Sequence, residues 1–320
     1  ADSTAVGGVL LREGLLYLSR NQGIQKAATR TPVGQKLARR FVAGETLDDA
    51  LTAIRSVNAE GMTATLDELG ENVRSYQEAG RTADSYCRAL STMAGEQLDS
   101  NLSIKLTQLG LDLGPDIART LAAKVVSTAQ SCSNFVRVDM EGSPYTAITL
   151  DIVREIFAST PCVGAVIQSY LYRSQDDVRD LNRLGMRVRL VKGAYLEPAT
   201  VAFPQKTEVD DNYRHLAEML LAEGVYPAFA THDEAMISFI RTRAAAMGRS
   251  NEEWEFQMLY GVRRDLQRSL VREGYRLRVY IPFGSHWYPY LMRRLAERPG
   301  NLLFFLGNVA REARSTPPSG

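Results

Sequence analysis

Close to the C-terminal end of the chain, the stretch YLMRRLAE (residues 290–297) sets two arginines side by side, Arg293 and Arg294, one turn after Tyr290. Adjacent residues on a helix point about 100° apart, so two guanidinium forks can embrace a group that lies between them. The chemistry suited to such a pair is recognition of an anion. A solvated surface pair is the plain alternative, because charged side chains mostly face water. Other charged residues bear on the choice. Lys105, Asp139, Arg189 and Lys192 each fall within or just past an apolar, strand-like run, and Glu71 follows another. Charges in such runs are unfavourable unless paired.

These residues belong to a chain that alternates strand-like and helical stretches. The β-rich runs are TATLDEL (63–69), NLSIKLT (101–107), NFVRVDME (134–141), VGAVIQSY (163–170), RVRLVKGAY (187–195), YPAFATHD (226–233), WEFQMLYG (254–261) and RLRVYIPFG (276–284). Between them, segments such as DVRDLNRLG and NYRHLAEMLLAEG carry helical apolar spacing and end near glycine, a helix stop. This alternation predicts an α/β fold with parallel strands and right-handed crossovers. Eight units are the number that closes a (β/α)8 TIM barrel. No G-x-G-x-x-G follows any run, which weakens the rival open, doubly wound sheet. Residues 1–59 are expected to form an N-terminal helical arm, 60–308 the barrel, and 309–320 a flexible tail.

In such a barrel the active site lies at the C-terminal ends of the strands. Those ends offer Glu71, Lys105, Asp139 and Gln168 from the first four strands. Strand five offers Arg189, Lys192 and Tyr195, strand six Thr231 and His232, strand seven Tyr260 and strand eight Tyr280. Lys105 with Asp139 could be no more than an ion pair closing the barrel top, and His232 a satisfied core histidine. Taken together with Arg293 and Arg294, the cations make a positively charged mouth suited to an anionic ligand or cofactor. With three histidines, widely spaced, and no metal-ligand spacing of carboxylates, no metal site is expected. G-x-S-x-G and Cys–His arrangements are absent, so nucleophilic catalysis is not indicated.

Bulk properties agree with a soluble globular protein. The 320 residues carry 38 Lys+Arg against 37 Asp+Glu, a net charge of +1 that gives no nucleic-acid footprint. The hydrophobic share, 45%, is enough for a large core. Cys87, Cys132 and Cys162 form no CxxC and read as reduced thiols of an intracellular protein. No apolar run approaches the roughly 20 residues that span a bilayer, and the first twenty residues read as an amphipathic helix rather than a signal peptide.

The stretches SIKLTQLG, RVDMEG, VIQSYLYR, RVRLVKGAY, PAFATHD, EFQMLYG, RVYIPFG and YLMRRLAE resemble the proline dehydrogenase family in order and spacing. The resemblance covers roughly residues 40–308 and is most specific in RLVKGAY, ATH and YLxRRLxE. It implies a distorted (β/α)8 barrel of the monofunctional bacterial type, holding FAD, with the eighth helix over the mouth. Arg293 and Arg294 would bind the proline carboxylate with help from Lys105, while Tyr280 and Tyr290 wall the ring. Asp139 matches the catalytic aspartate and would position Lys105. Arg189 would stand near the flavin N5 and stabilise negative charge arriving there. Met140, Gln168, Val191, Lys192, Gly193, Ala194, Thr231 and His232 would hold FAD, with Lys192 on the pyrophosphate. Glu71 would pair with the first arginine as a gate.

The implied reaction is oxidation of L-proline to Δ1-pyrroline-5-carboxylate, the first step of proline catabolism to glutamate, with electrons passed from FAD to a membrane quinone. Expected partners are therefore L-proline and the quinone, with no nucleic acid and no metal. The expected location is cytoplasmic, with transient peripheral contact at the inner face of the cell membrane through the apolar surface of Val9, Leu10, Leu11, Leu15, Leu16, Tyr17 and Leu18. That surface could equally pack on the barrel. Two other readings stay open: a flavin barrel of the methylenetetrahydrofolate reductase type, and an amino-acid-binding barrel without redox function.

Overall fold

The computed structural model describes residues 39–70 and 72–297, with side chains as far as Met292. Eight parallel strands close in sequence order: β1 (Thr63–Glu68), β2 (Ser100–Ile104), β3 (Val136–Val138), β4 (Val163–Gln168), β5 (Val188–Val191), β6 (Ala228–Ala230), β7 (Glu255–Leu259) and β8 (Leu277–Phe283). Thr63 through Glu68 pair with Arg278 through Phe283, which shuts the barrel and excludes an open sheet. All eight expected strands form. Most of the sequence runs overshoot at their C-terminal ends, because residues such as 105–107, 139–141 and 192–195 leave the ladder to build the mouth.

Helix α1 (Leu47–Ala59) precedes the barrel. Thr46 starts it with a capping box: its hydroxyl accepts from the Asp49 backbone N–H, while the Asp49 carboxylate accepts from the Thr46 N–H. α1 packs on β1 and β8, so its buried Leu51, Ile54 and Val57 cover the closing seam. The crossovers are α2 (Tyr76–Gly95), α3 (Pro115–Ser131), α4 (Ser143–Ser159), α5 (Ser174–Arg183), α6 (Lys206–Glu223), α7 (Glu234–Ala246) and α8 (Arg264–Arg272), and α9 (Trp287–Glu297) follows β8. Residues 1–38 of the expected arm, including the apolar surface at 9–18, lie outside the described residues, as do Glu71 and the expected tail. Among the described residues no helix is long and apolar enough to cross a membrane, and Cys87, Cys132 and Cys162 are free thiols.

Strand residues alternate between two environments. Leu66, Leu102, Ile104, Val138, Ile167, Leu190, Phe229, Phe256 and Ile281 join the hydrophobic core, which on this alternation lies between sheet and helices. The opposite parity puts an uncommon set inside the barrel. Register pairs Asp67 with Ser103, Ser103 with Arg137, Val166 with Arg189, Ala228 with Glu255, and Gln257 with Arg278. Barrels of this type usually fill that space with branched apolar side chains. Here it is filled with charges and amides, nearly all buried.

Gly164 makes room for one of them. A Cβ there would stand 2.4 Å from the Arg187 carbonyl oxygen and 2.7 Å from Arg137 Nη1. The Arg137 guanidinium needs that gap to donate to the Ala165 carbonyl (3.2 Å) and the Arg187 carbonyl (2.6 Å). Gly164→Ala should therefore lower stability by about 1–3 kcal/mol, the usual range for overpacking, measured as a shift of the urea midpoint. An unchanged midpoint would show that the wall between β3 and β5 yields freely.

Candidate active site

The backbone sets the geometry of the mouth. Asp139 follows β3, and its N–H donates to the Ile104 carbonyl (2.9 Å), which fixes it beside β2. Its carboxylate then accepts four hydrogen bonds. Oδ1 takes Arg189 Nη1 at 2.7 Å and Ser103 Oγ at 3.1 Å; Oδ2 takes the Tyr280 hydroxyl at 2.6 Å and Lys105 Nζ at 3.4 Å. Burial alone would raise its pKa, but Lys105 and Arg189 outweigh that and hold it below the ordinary carboxylate range. Asp139 is an anion.

Lys105 has a closer partner, Asp67, at 2.6 Å. Burial works against the charged amine, yet Asp67, Tyr280 and Asp139 together keep its pKa well above normal. Asp67 itself is pushed up, first by burial and also by the nearby charge of Asp139. Asp139 was expected to position Lys105; it contacts Lys105 at 3.4 Å, while Asp67 stands closer to the amine and Asp139 also anchors Arg189 and Tyr280. Sequence reasoning passed over Asp67. Its inward parity, two residues after Thr65, was the available signal.

Arg189 is not at the rim, where the sequence suggested it, but in the second position of β5 and 4% exposed. Its guanidinium lies over the Tyr280 ring, 5.3 Å from the centroid. Gln257, also unremarked in the sequence, accepts from Arg189 Nε at 2.5 Å. Tyr260 is placed differently again. Its ring lies under Arg264, and β7 lines the mouth with Gln257, Met258 and Leu259 instead.

Above this cage opens a cavity of about 690 Å³. Lys105, Asp139, Arg189 and Tyr280 line its floor. Met140, Gln168, Val191, Lys192, Gly193, Ala194, Tyr195, Thr231 and His232 line its wall, so the residues singled out at the ends of β3 to β6 come together. Gly193 has φ +120°, and a Cβ there would meet the Tyr170 ring at 2.5 Å, so only glycine fits. Gln168 donates weakly to the Met140 and Glu141 carbonyls (3.4 and 3.3 Å), while its buried Oε1 has no hydrogen-bond partner. His232 Nε2 accepts from the Leu259 N–H at 2.9 Å, which puts its ring proton on Nδ1. Lys192 is held by Asp210 (2.6 Å) and Asp233 (2.8 Å). The expected positive mouth is thus, among the described residues, largely balanced by carboxylates.

Helix α9 supplies the roof. His286, just before it, and its Pro289 and Tyr290 line the cavity. Pro289 falls in the first turn, where its missing N–H interrupts no helical bond. Arg293 and Arg294 continue this helix, but their side chains lie outside the described residues. No group of His, Cys, Asp and Glu among the described residues could hold a metal.

A closed α/β barrel with a buried charged cage beneath a roofed cavity is the layout of a barrel enzyme. The family model for proline dehydrogenase matches residues 50–305. The chain is 41% identical over 304 residues to Proline dehydrogenase 1 of Bacillus subtilis subsp. natto, covering 95% of this chain and 100% of that protein. It is 39% identical over 307 residues to Proline dehydrogenase of Deinococcus radiodurans, covering 94% of this chain and 98% of that one. Proline utilization A from Bdellovibrio bacteriovorus, inactivated by N-propargylglycine, superposes with a TM-score of 0.78 at 27% identity, covering 90% of this chain. The match spans 36% of that much longer chain. The chain belongs to the proline dehydrogenase family, and it is an oxidoreductase.

The Lys105–Asp67 pair can be tested without ligand. Asp67→Ala should cost about 3–5 kcal/mol in urea unfolding, as removal of one partner from a buried ion pair does. Asp67→Ala with Lys105→Met should recover a large part of that loss. A double variant as unstable as the sum of the single ones would mean the two side chains do not depend on each other.

Proposed function

We propose that the chain oxidises L-proline to Δ1-pyrroline-5-carboxylate with FAD in the mouth cavity, and that a quinone takes the electrons on. The observation that carries this reading is the position of Tyr290 over the cavity. Residues three and four positions along a helix share a face, so positions 293 and 294 fall to either side of the direction set by Tyr290. The cage below is internally neutral, Lys105 and Arg189 against Asp67 and Asp139. A substrate carboxylate therefore needs added positive charge, and two arginines on the roof helix supply it with bidentate geometry.

The cavity suits FAD. Its volume lies well inside the 300–1,000 Å³ typical of cofactor-sized sites and far beyond the needs of one small amino acid. The orphaned Gln168 Oε1 is an acceptor waiting for a donor such as the imide N–H of a flavin, and the clearance at Gly193 lets backbone approach a large ligand. Met140, Val191, Ala194, Thr231 and His232 give the remaining wall. Lys192 is suited to the pyrophosphate, in exchange for one of its two carboxylates. When bound, FAD supplies the two-electron acceptor for the carbon next to the ring nitrogen of proline.

The chain's own residues do the rest. Arg293, Arg294 and Lys105 orient the carboxylate, and Tyr280 and Tyr290 enclose the ring and exclude water. Asp139, ionised and saturated with donors, holds Arg189, Lys105 and Tyr280 in place, which suits it to positioning and not to taking a proton. Proline must then enter as the neutral amine, so activity rises with pH. Glu71 is suited to closing the site by pairing with Arg293. The catalytic unit on this reading begins at α1, which seals the β1–β8 seam, and transient contact with the membrane falls to the apolar surface at residues 9–18. Among the other readings, the methylenetetrahydrofolate reductase type has no need of the paired arginines, and a binding-only barrel has no need of FAD.

The direct test is an absorption spectrum of the purified protein before and after anaerobic L-proline. A flavin spectrum bleached by proline supports the proposal, and a colourless protein that takes up no FAD overturns it. Arg293→Met and Arg294→Met should each raise the proline KM by about a hundredfold, the effect of losing a charge-assisted pair, with FAD retained. A KM unchanged in either variant would return that arginine to the surface.

A further inference from the structure

Beneath the cage, a chain of buried polar groups extends from Arg189 across the barrel. Arg189 has five guanidinium N–H groups, and three are engaged: Nη1 with Asp139, Nη2 with the Ser103 hydroxyl (3.2 Å), and Nε with Gln257 Oε1 (2.5 Å). Gln257 is 3% exposed, and its Nε2 donates to Glu255 Oε1 at 2.6 Å. Glu255, 2% exposed, also accepts from Arg278 Nε at 2.8 Å and from the Tyr226 hydroxyl at 3.2 Å. Arg278 in turn donates to the Ala64 carbonyl at 2.7 Å, which ties the chain to β1. The run crosses from β5 through β7 and β8 to β1.

The polarity of this run is fixed. Arg189 Nε can only donate, and the Glu255 carboxylate can only accept. Burial would raise the Glu255 pKa, but the Arg278 charge outweighs it and keeps the group ionised. An amide presents an acceptor to the first and a donor to the second, from two separate atoms. Two contacts alone, from Asp139 and Ser103, would leave the guanidinium free to pivot about its Nη edge. The third, at Nε, closes the fork.

We infer that Gln257 is the positioning residue of Arg189, holding its guanidinium plane so that the two unengaged N–H groups face the cavity, with Glu255 and Arg278 fixing the amide from below. This rests on the proposed place of Arg189 beside bound FAD. Positive charge aimed at a cofactor works because it is already in position when negative charge arrives. Losing the Nε contact leaves the charge present but poorly aimed. The consequence belongs to cofactor reduction, and the substrate clamp on α9 is untouched.

The test is a redox titration of the FAD-loaded wild type, Gln257→Met, Arg189→Met and the double variant. Arg189→Met should make the flavin harder to reduce. Gln257→Met should move the midpoint the same way by a smaller amount, with kcat about tenfold lower, as for loss of one buried hydrogen bond. The proline KM should stay within about twofold. In the Arg189→Met background, Gln257→Met should add nothing. A wild-type midpoint in Gln257→Met, or a shift that persists without Arg189, overturns the inference and leaves Gln257 as core filling or a direct cofactor contact. A wild-type midpoint in Arg189→Met removes the proposed place of Arg189 itself, and so separates the two failures. Gln257→Asn, one methylene too short to span both partners, should repeat the shift if Gln257→Met fails to fold. Loss of FAD from both variants would also count against it, because a residue acting only through Arg189 leaves the cofactor bound.

Discussion

One carboxylate organises the mouth of this barrel. Asp139 accepts from Ser103, Lys105, Arg189 and Tyr280, which come from β2, the end of β2, β5 and β8. In a space closed to water each of these donors would be destabilising without a partner, and a carboxylate with four acceptor positions can satisfy all of them. The strands must then close in a register that brings Ser103, Asp139, Arg189 and Tyr280 to one height. The interior can be polar only because that register holds.

Electroneutrality follows from the same constraint. Two cations, Lys105 and Arg189, face two anions, Asp67 and Asp139, and lower down Arg278 faces Glu255. Such pairs contribute little net stability compared with apolar packing, so an interior built of them is better explained by what it presents to the cavity. A neutral cage of fixed dipoles and charges is stiff, and it cannot by itself attract an anion. On the proposed reading, recognition of an acid passes to the roof, where α9 brings Tyr290 over the cavity and continues into Arg293 and Arg294. Division of labour between a rigid floor and a separate covering helix lets the floor keep its geometry while substrate comes and goes.

Much of this was legible in the sequence. The alternation of strand-like and helical runs gave eight strands in the right places, because a barrel strand must be apolar toward its helices whatever lies inside. Lys105, Asp139, Gln168 and Lys192 were legible as polar residues at strand ends, whereas Tyr280, placed there too, stands in the middle of β8. Asp67, Gln257, Glu255 and Arg278 were not picked out, since a polar residue within a strand reads as a solvent-facing position until the sheet is known to close. Partner choice was hidden as well: that Lys105 leans on Asp67, and that Lys192 is balanced by Asp210 and Asp233, depends on registers and crossovers that local pattern does not carry.

The central claim is that ionised Asp139 holds the reacting side of the cavity in working order. Stopped-flow mixing of the Asp139→Asn protein with L-proline, without oxygen and at matched FAD content, measures this most directly. An amide keeps the shape but loses the charge and one acceptor, so flavin reduction should slow by about a hundredfold or more, in line with the loss of charged hydrogen bonds in a buried site. Reduction within about threefold of the wild-type rate would contradict the account.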